Sequence, residues 1–151
     1  MQVQMKRHRQ SAGFSLIEIM VVLVIMGLLI SILAPNVLGR ADEARVQKVF
    51  ADFSAIETSL RMYRLDNYDY PTSEQGLSAL IERPTMEPVP ANWKSDGYLE
   101  SLPVDPWGRE YLYLSPGQQG AVDIFTYGAD GVRGGEGQNS EYGNWQQQEN
   151  L

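Results

Sequence analysis

The chain has 151 residues, enough for one small domain and an appendage, and a net charge of −7. It has no cysteine, and its single histidine is His8, so disulfides, thiolate chemistry and the usual histidine bases and zinc ligands are missing from the body. Residues 1–13 hold Lys6, Arg7 and Arg9 and no acid, leaving 9 basic against 19 acidic residues beyond them, and a net of −10 argues against nucleic-acid binding. Carboxylate-only catalysis passes this filter, but no acid–base or nucleophilic constellation stands out.

Ile19–Gly39 is a run of 21 residues without a formal charge. As a helix it rises about 31 Å, enough for a bilayer core. The basic residues before it place the N-terminus in the cytoplasm and the rest outside. A cleaved secretory signal would be shorter and would end at small residues. An ordinary signal anchor leaves Glu18 unexplained, because an unpaired intramembrane carboxylate is costly. Within the run, Pro35 removes the helical partner of the Ser31 carbonyl, and Gly27 weakens the same stretch. Two readings stand: a tolerated membrane-helix kink, or a segment that unwinds when subunits leave lipid and pack together.

Beyond Gly39 the pattern changes. Val46, Val49, Phe50, Phe53, Ile56, Leu60 and Tyr63 recur at steps of three or four, with charges on the other faces, as in an amphipathic helix. The spacing predicts one helix over Phe14–Leu65, about 78 Å long. Ser73–Glu82 reads as a short helix with Leu77, Leu80 and Ile81 inward, and Pro84–Pro90 as a loop. Strands are expected at Tyr111–Leu114 and Val122–Tyr127, each followed by turn residues. The tail from Gly128 holds six glycines by Gly143 and reads as loop unless something pins it. The fold class is α+β: a long N-terminal helix packed on a small antiparallel sheet, with a C-terminal Gly-rich loop. Trp93, Trp107 and Trp145 read as core or loop anchors, and Asp105-Pro106-Trp107-Gly108 reads as a turn on its local chemistry.

The segment SAG-FSLIEIMVVLVIMGLL resembles the class III leader of type IV pilins and type II secretion pseudopilins. A short basic leader, Gly13 before the cut, Phe14 as the new N-terminus and Glu18 fifth from it coincide at fixed spacing. The resemblance implies cleavage after Gly13 by prepilin peptidase and N-methylation of Phe14. It also implies that Glu18 neutralises a neighbour's N-terminal amine within the membrane, and that Gly27 and Pro35 mark where filament subunits lose helix structure. Tyr63-Arg64-Leu65-Asp66-Asn67, Tyr70-Pro71-Thr72, Glu74-Gln75-Gly76-Leu77, Asp105-Pro106-Trp107-Gly108 and Gly143-Asn144-Trp145 look like the major, G-type pseudopilin. The division implied is a leader at 1–13, a transmembrane and polymerisation helix at 14–39 and a periplasmic head at 40–151.

That resemblance also implies a structural Ca²⁺ site in the Gly-rich loop. Its residues are Asp130, the backbone carbonyls of Tyr127 and Val132, and a closing segment that is usually Asp-x-Asp. Here the closing segment is Asn139-Ser140-Glu141, a departure that removes one formal charge and lengthens one acid. The alternative is a Gly-rich turn without metal. The function implied is a subunit of the type II secretion pseudopilus, anchored in the inner membrane of a Gram-negative cell. Its expected partners are other copies of itself, minor pseudopilins, an assembly ATPase and membrane platform, and indirectly an outer-membrane secretin. A type IV pilus subunit, or a monomeric membrane-tethered calcium-dependent binding module, are the alternatives.

Overall fold

The computed structural model describes residues 14–150, with side chains given except at 32–38 and 148–150. The expected leader and Gly13 therefore lie outside the described residues, as does the side chain of Pro35. The chain divides into two compact units, Met1–Arg40 and Ala41–Leu151.

Helix α1 runs Leu16–Asn67, 52 residues. Its first turn is closed by the N–H groups of Glu18 and Ile19 donating to Ser15 O, at 3.0 and 3.3 Å. Its last turn ends where the Tyr68 N–H donates to Arg64 O at 2.7 Å. The helix thus starts and stops two residues later than expected. In the first unit its apolar side chains are open all round: Leu16 is 80% exposed and Val22 42%. Among the described residues no helix is long and apolar enough to cross a membrane. The expected span of 14–39 takes in positions 32–38, whose side chains lie outside the description.

In the second unit the predicted stripe is the core. Val49, Phe53, Ile56 and Leu60 have no exposed surface and Tyr63 has 3%. Burial contributes about 1.5–3 kcal/mol for each large apolar side chain. The ring of Phe53 meets Tyr111 edge-on at 5.3 Å, and Tyr63 meets Tyr98 at the same separation. Asp52 ties the helix flank to the sheet. It accepts bonds from Lys48 Nζ and from the Tyr111 hydroxyl, while Lys48 also donates to Val104 O. Burial, aided by Asp52, pushes the Tyr111 hydroxyl pKa well above its ordinary value. Burial, with Tyr70 and Tyr63 nearby, pushes Tyr113 up to about 12.

The expected helix at Ser73–Glu82 is reduced to a 3₁₀ turn at Leu77–Leu80. Leu77 and Leu80 point inward as predicted, Ala79 joins them, and Ile81 is half-buried. The segment before it is held by side chains instead. Gln75 Nε2 donates to Met86 O and Pro88 O, and its Oε1 accepts from Thr72 N. That fixes the loop through Pro88 onto the 3₁₀ turn.

The sheet has three antiparallel strands in the order β1 (Leu112–Leu114), β2 (Asp123–Thr126) and β3 (Tyr142–Gly143). Leu112 pairs with Phe125, and Thr126 with Tyr142. The alternation read from sequence holds for Val122, Ile124 and Thr126, all buried. Asp123 is buried as well, against that alternation. Its carboxylate accepts the N–H groups of Gln118, Gln119 and Gly120 and so closes the turn between β1 and β2. The third strand was not expected, since it is two residues long and sits in a glycine-rich tail.

The cost of losing the stripe can be measured on the isolated second unit. Leu60→Ala is expected to lower stability by about 2–5 kcal/mol in urea unfolding, whereas Leu65→Ala, on a side chain 79% exposed, should stay within ~0.5 kcal/mol. Equal losses at the two positions would show that the stripe does not carry the core.

Candidate functional site

Two regions hold the residues singled out by sequence. The first is the start of α1. Phe14 is 79% exposed, and Ile17, Leu23, Val24, Leu28 and Ile30 are each more than 60% exposed. Glu18 lies in the first turn, where the free N–H groups favour a carboxylate. It forms no ion pair among the described residues. A Cβ at Gly27 would meet nothing within 4 Å. Glycine there answers no packing need among the described residues. Apolar surface this extensive is stable only against lipid or against other apolar surface.

The second region is the loop from Tyr127 to Trp145. Arg109, not singled out by sequence, is its main fastening. Nη1 donates to Gly128 O at 2.7 Å and Nη2 to Ala129 O at 2.9 Å. The guanidinium lies so close to Gly131 (φ 70°) that a Cβ there would fall 2.8 Å from Nε. Gly128, with φ 71°, lets the opposite limb approach, because a Cβ would collide with Gln138 O and Ser140 O. The Ala129 N–H then donates to Gln138 O at 2.8 Å. Arg45 on α1 donates to Gln138 Oε1 at 3.2 Å, and the Tyr142 hydroxyl donates to Gly137 O at 2.6 Å.

Arg109 is placed by the turn before it. Asp105 is 2% exposed. Its Oδ1 accepts from Trp107 N and Arg109 N, and its Oδ2 from the Thr126 hydroxyl. The Asp105-Pro106-Trp107-Gly108 turn expected from sequence is therefore also a mount that aims Arg109 at the loop. Asn144, 5% exposed, does the matching work at the far end. Its Oδ1 accepts from Ile124 N, and its Nδ2 donates to Glu57 on α1 and to Val122 O.

The five residues expected at a cation site are distributed as follows. Tyr127 and Glu141 line one cleft with Arg133 and Trp145, and Asp130, Val132 and Asn139 are not among its lining residues. Asp130 is exposed at the tip, where its Oδ1 accepts the Val132 N–H at 3.0 Å. Asn139 closes a 3₁₀ turn, Gly137–Asn139. Glu141 lies 3.9 Å from Arg133 Nε. Among the described residues no group of three or more Asp, Glu, His or Cys side chains could hold a metal. The donor set here is two carboxylates with amide and carbonyl oxygens. Its all-oxygen chemistry suits a hard cation, with neutral oxygens carrying much of the coordination.

Both regions fall within segments that match known families. The family described as "Type II secretion system (T2SS), protein G" matches residues 36–145, and the "Prokaryotic N-terminal methylation motif" matches residues 8–34. The chain is 52% identical over 141 residues to type II secretion system core protein G of Vibrio cholerae, covering 93% of this chain and 96% of that one. It is 50% identical over 139 residues to the protein of the same description from Pseudomonas aeruginosa, covering 92% and 98%. The crystal structure of the major pseudopilin from the type 2 secretion system of enterohaemorrhagic Escherichia coli superposes with a TM-score of 0.66 at 51% identity, over 74% of this chain and 96% of that one.

Proposed function

The chain belongs to the type II secretion system protein G family, and on that premise we propose how its two regions work together. It is a structural subunit of the pseudopilus, not an enzyme. The methylation motif over residues 8–34 implies processing by prepilin peptidase and assembly into the secretion system. The finer reading rests on one observation: a helix whose first half exposes apolar side chains on every face, joined to a head that buries only one stripe of the same helix.

The subunit waits in the inner membrane with its head in the periplasm. Cleavage after Gly13 frees the amine of Phe14 at the membrane edge. Glu18, which forms no ion pair among the described residues, neutralises the amine of a neighbour and sets the depth of the incoming subunit. Apolar side chains then exchange lipid for neighbouring helices, and Gly27 with Pro35 supplies the weak stretch that yields during packing. The filament grows from an ATPase-driven membrane platform, carries minor pseudopilins and pushes cargo through an outer-membrane secretin.

Glu18→Ala should leave membrane insertion intact, because the apolar run is unchanged, and should abolish filaments and secretion. Normal secretion by that variant would refute the pairing role. We also assign Ca²⁺ as a structural ligand of the loop, held by Asp130, Asn139 and Glu141 with the carbonyls of Tyr127 and Val132. The ion would supply positive charge that draws these oxygens together. Residues 41–151 should melt higher in millimolar Ca²⁺ than in chelator, the ion adding roughly 2.7 kcal/mol of stability at 100 times its dissociation constant. Asp130→Ala should erase the difference, whereas Arg109→Ala should lower stability in both conditions. Identical melting with and without Ca²⁺ would mean that Arg109 and the Arg133–Glu141 pair hold the loop without a metal.

A further inference from the structure

The far end of α1 carries a face open to solvent. Arg61, Arg64 and Leu65 fall at helical spacing on one side, and Tyr68 follows immediately after the helix. Leu65 is 79% exposed and Tyr68 81%. Tyr68 also has φ 71°, a left-handed conformation that at this position normally falls to glycine or asparagine. The left-handed turn lets the Tyr68 N–H cap Arg64 O at 2.7 Å, but it leaves the aromatic ring open to solvent. Arg64 lies over the Tyr70 ring, 5.1 Å from its centre, and has no ion pair among the described residues.

The opposite end of the same unit carries an apolar groove of about 440 Å³. Asp42, Glu43, Val46 and Gln47 of α1 and Tyr142 of β3 are among its lining residues. Asp42 is matched by Arg45 at 2.8 Å. Glu43 is exposed and forms no ion pair among the described residues.

We propose that the Arg64–Leu65–Tyr68 face of one subunit docks into the Glu43–Val46–Tyr142 groove of another copy of this chain. The two unpaired charges, Glu43 and Arg64, are of opposite sign. A single stagger brings both sets together. Shifting one helix along a parallel neighbour by 21 residues, about 32 Å, sets Glu43 level with Arg64 and Gln47 level with Tyr68. Parallel alignment is what a shared membrane orientation requires. The two surfaces differ, so the contact is heterologous and leaves a free groove and a free face at its ends, as an open filament needs. This inference rests on the filament reading and names a contact within it.

The absence of cysteine from the sequence makes a direct test clean. The full-length chain carrying Gln47→Cys with Tyr68→Cys, assembled and mildly oxidised, should give a ladder of dimers and larger species that reduction collapses. Either single variant should remain monomeric. Filaments of the double variant that stay monomeric after oxidation would overturn the contact. Should the double variant fail to assemble, charge exchange decides. Glu43→Arg and Arg64→Glu should each lower filament yield roughly two- to fivefold, and their combination should restore it. Unchanged yield in both single variants would overturn the contact. Absence of filaments from the unmodified chain would instead remove the filament reading itself.

Discussion

The burial of one helical stripe, Val49 to Tyr63, is the constraint on which the head depends. The sheet has three short strands, the last of two residues, and such a sheet has little independent stability. It persists because Tyr111, Val122 and Ile124 pack with that stripe in one hydrophobic cluster. The 3₁₀ turn adds Leu77 and Leu80 to the same cluster. Helix α1 therefore serves two environments in sequence. Its second half is covered by its own head, and the described side chains of its first half are exposed.

Where regular structure ends, buried polar side chains take over the role of the backbone ladder. Gln75, Asp105, Asp123 and Asn144 are each at most 7% exposed, and each bonds backbone groups from the segments around it. A buried donor or acceptor left without a partner costs about 1–3 kcal/mol, so these contacts select one loop arrangement over its competitors. Arg109 extends the principle to the glycine-rich loop, where two carbonyls converge on one guanidinium. The loop is thus shaped by the chain's own cation before any external one is considered.

Much of this was legible in the sequence, for physical reasons that also mark its limit. The stripe was readable because apolar steps of three and four, sustained from Val46 to Tyr63, match a helix with one buried face and no strand period. The Asp105 turn was readable from local turn chemistry. The third strand was not, because two residues leave no period to detect. Nor was the burial of Asp123, whose alternation placed it outward; only its bonds to Gln118, Gln119 and Gly120 explain it. Arg109 gave no signal of its own, since its partners are backbone carbonyls about 20 residues away. Of the expected metal residues, sequence could name the oxygens but not their spacing, and Tyr127 and Glu141 share a cleft that Asp130 does not line.

Taken alone, the subunit is unfinished. The start of α1 exposes apolar groups and leaves Glu18 without an ion pair among the described residues, and the head presents an exposed face and a groove at its two ends. In the proposed filament each of these meets a membrane or another copy, and the role proposed for Glu18 presupposes that the mature chain begins at Phe14. The mass of the mature N-terminus tests that most directly. Protein isolated from cells with active prepilin peptidase should lack residues 1–13 and begin with N-methylphenylalanine at position 14. A mature chain still carrying Met1, or cut elsewhere, would contradict the account.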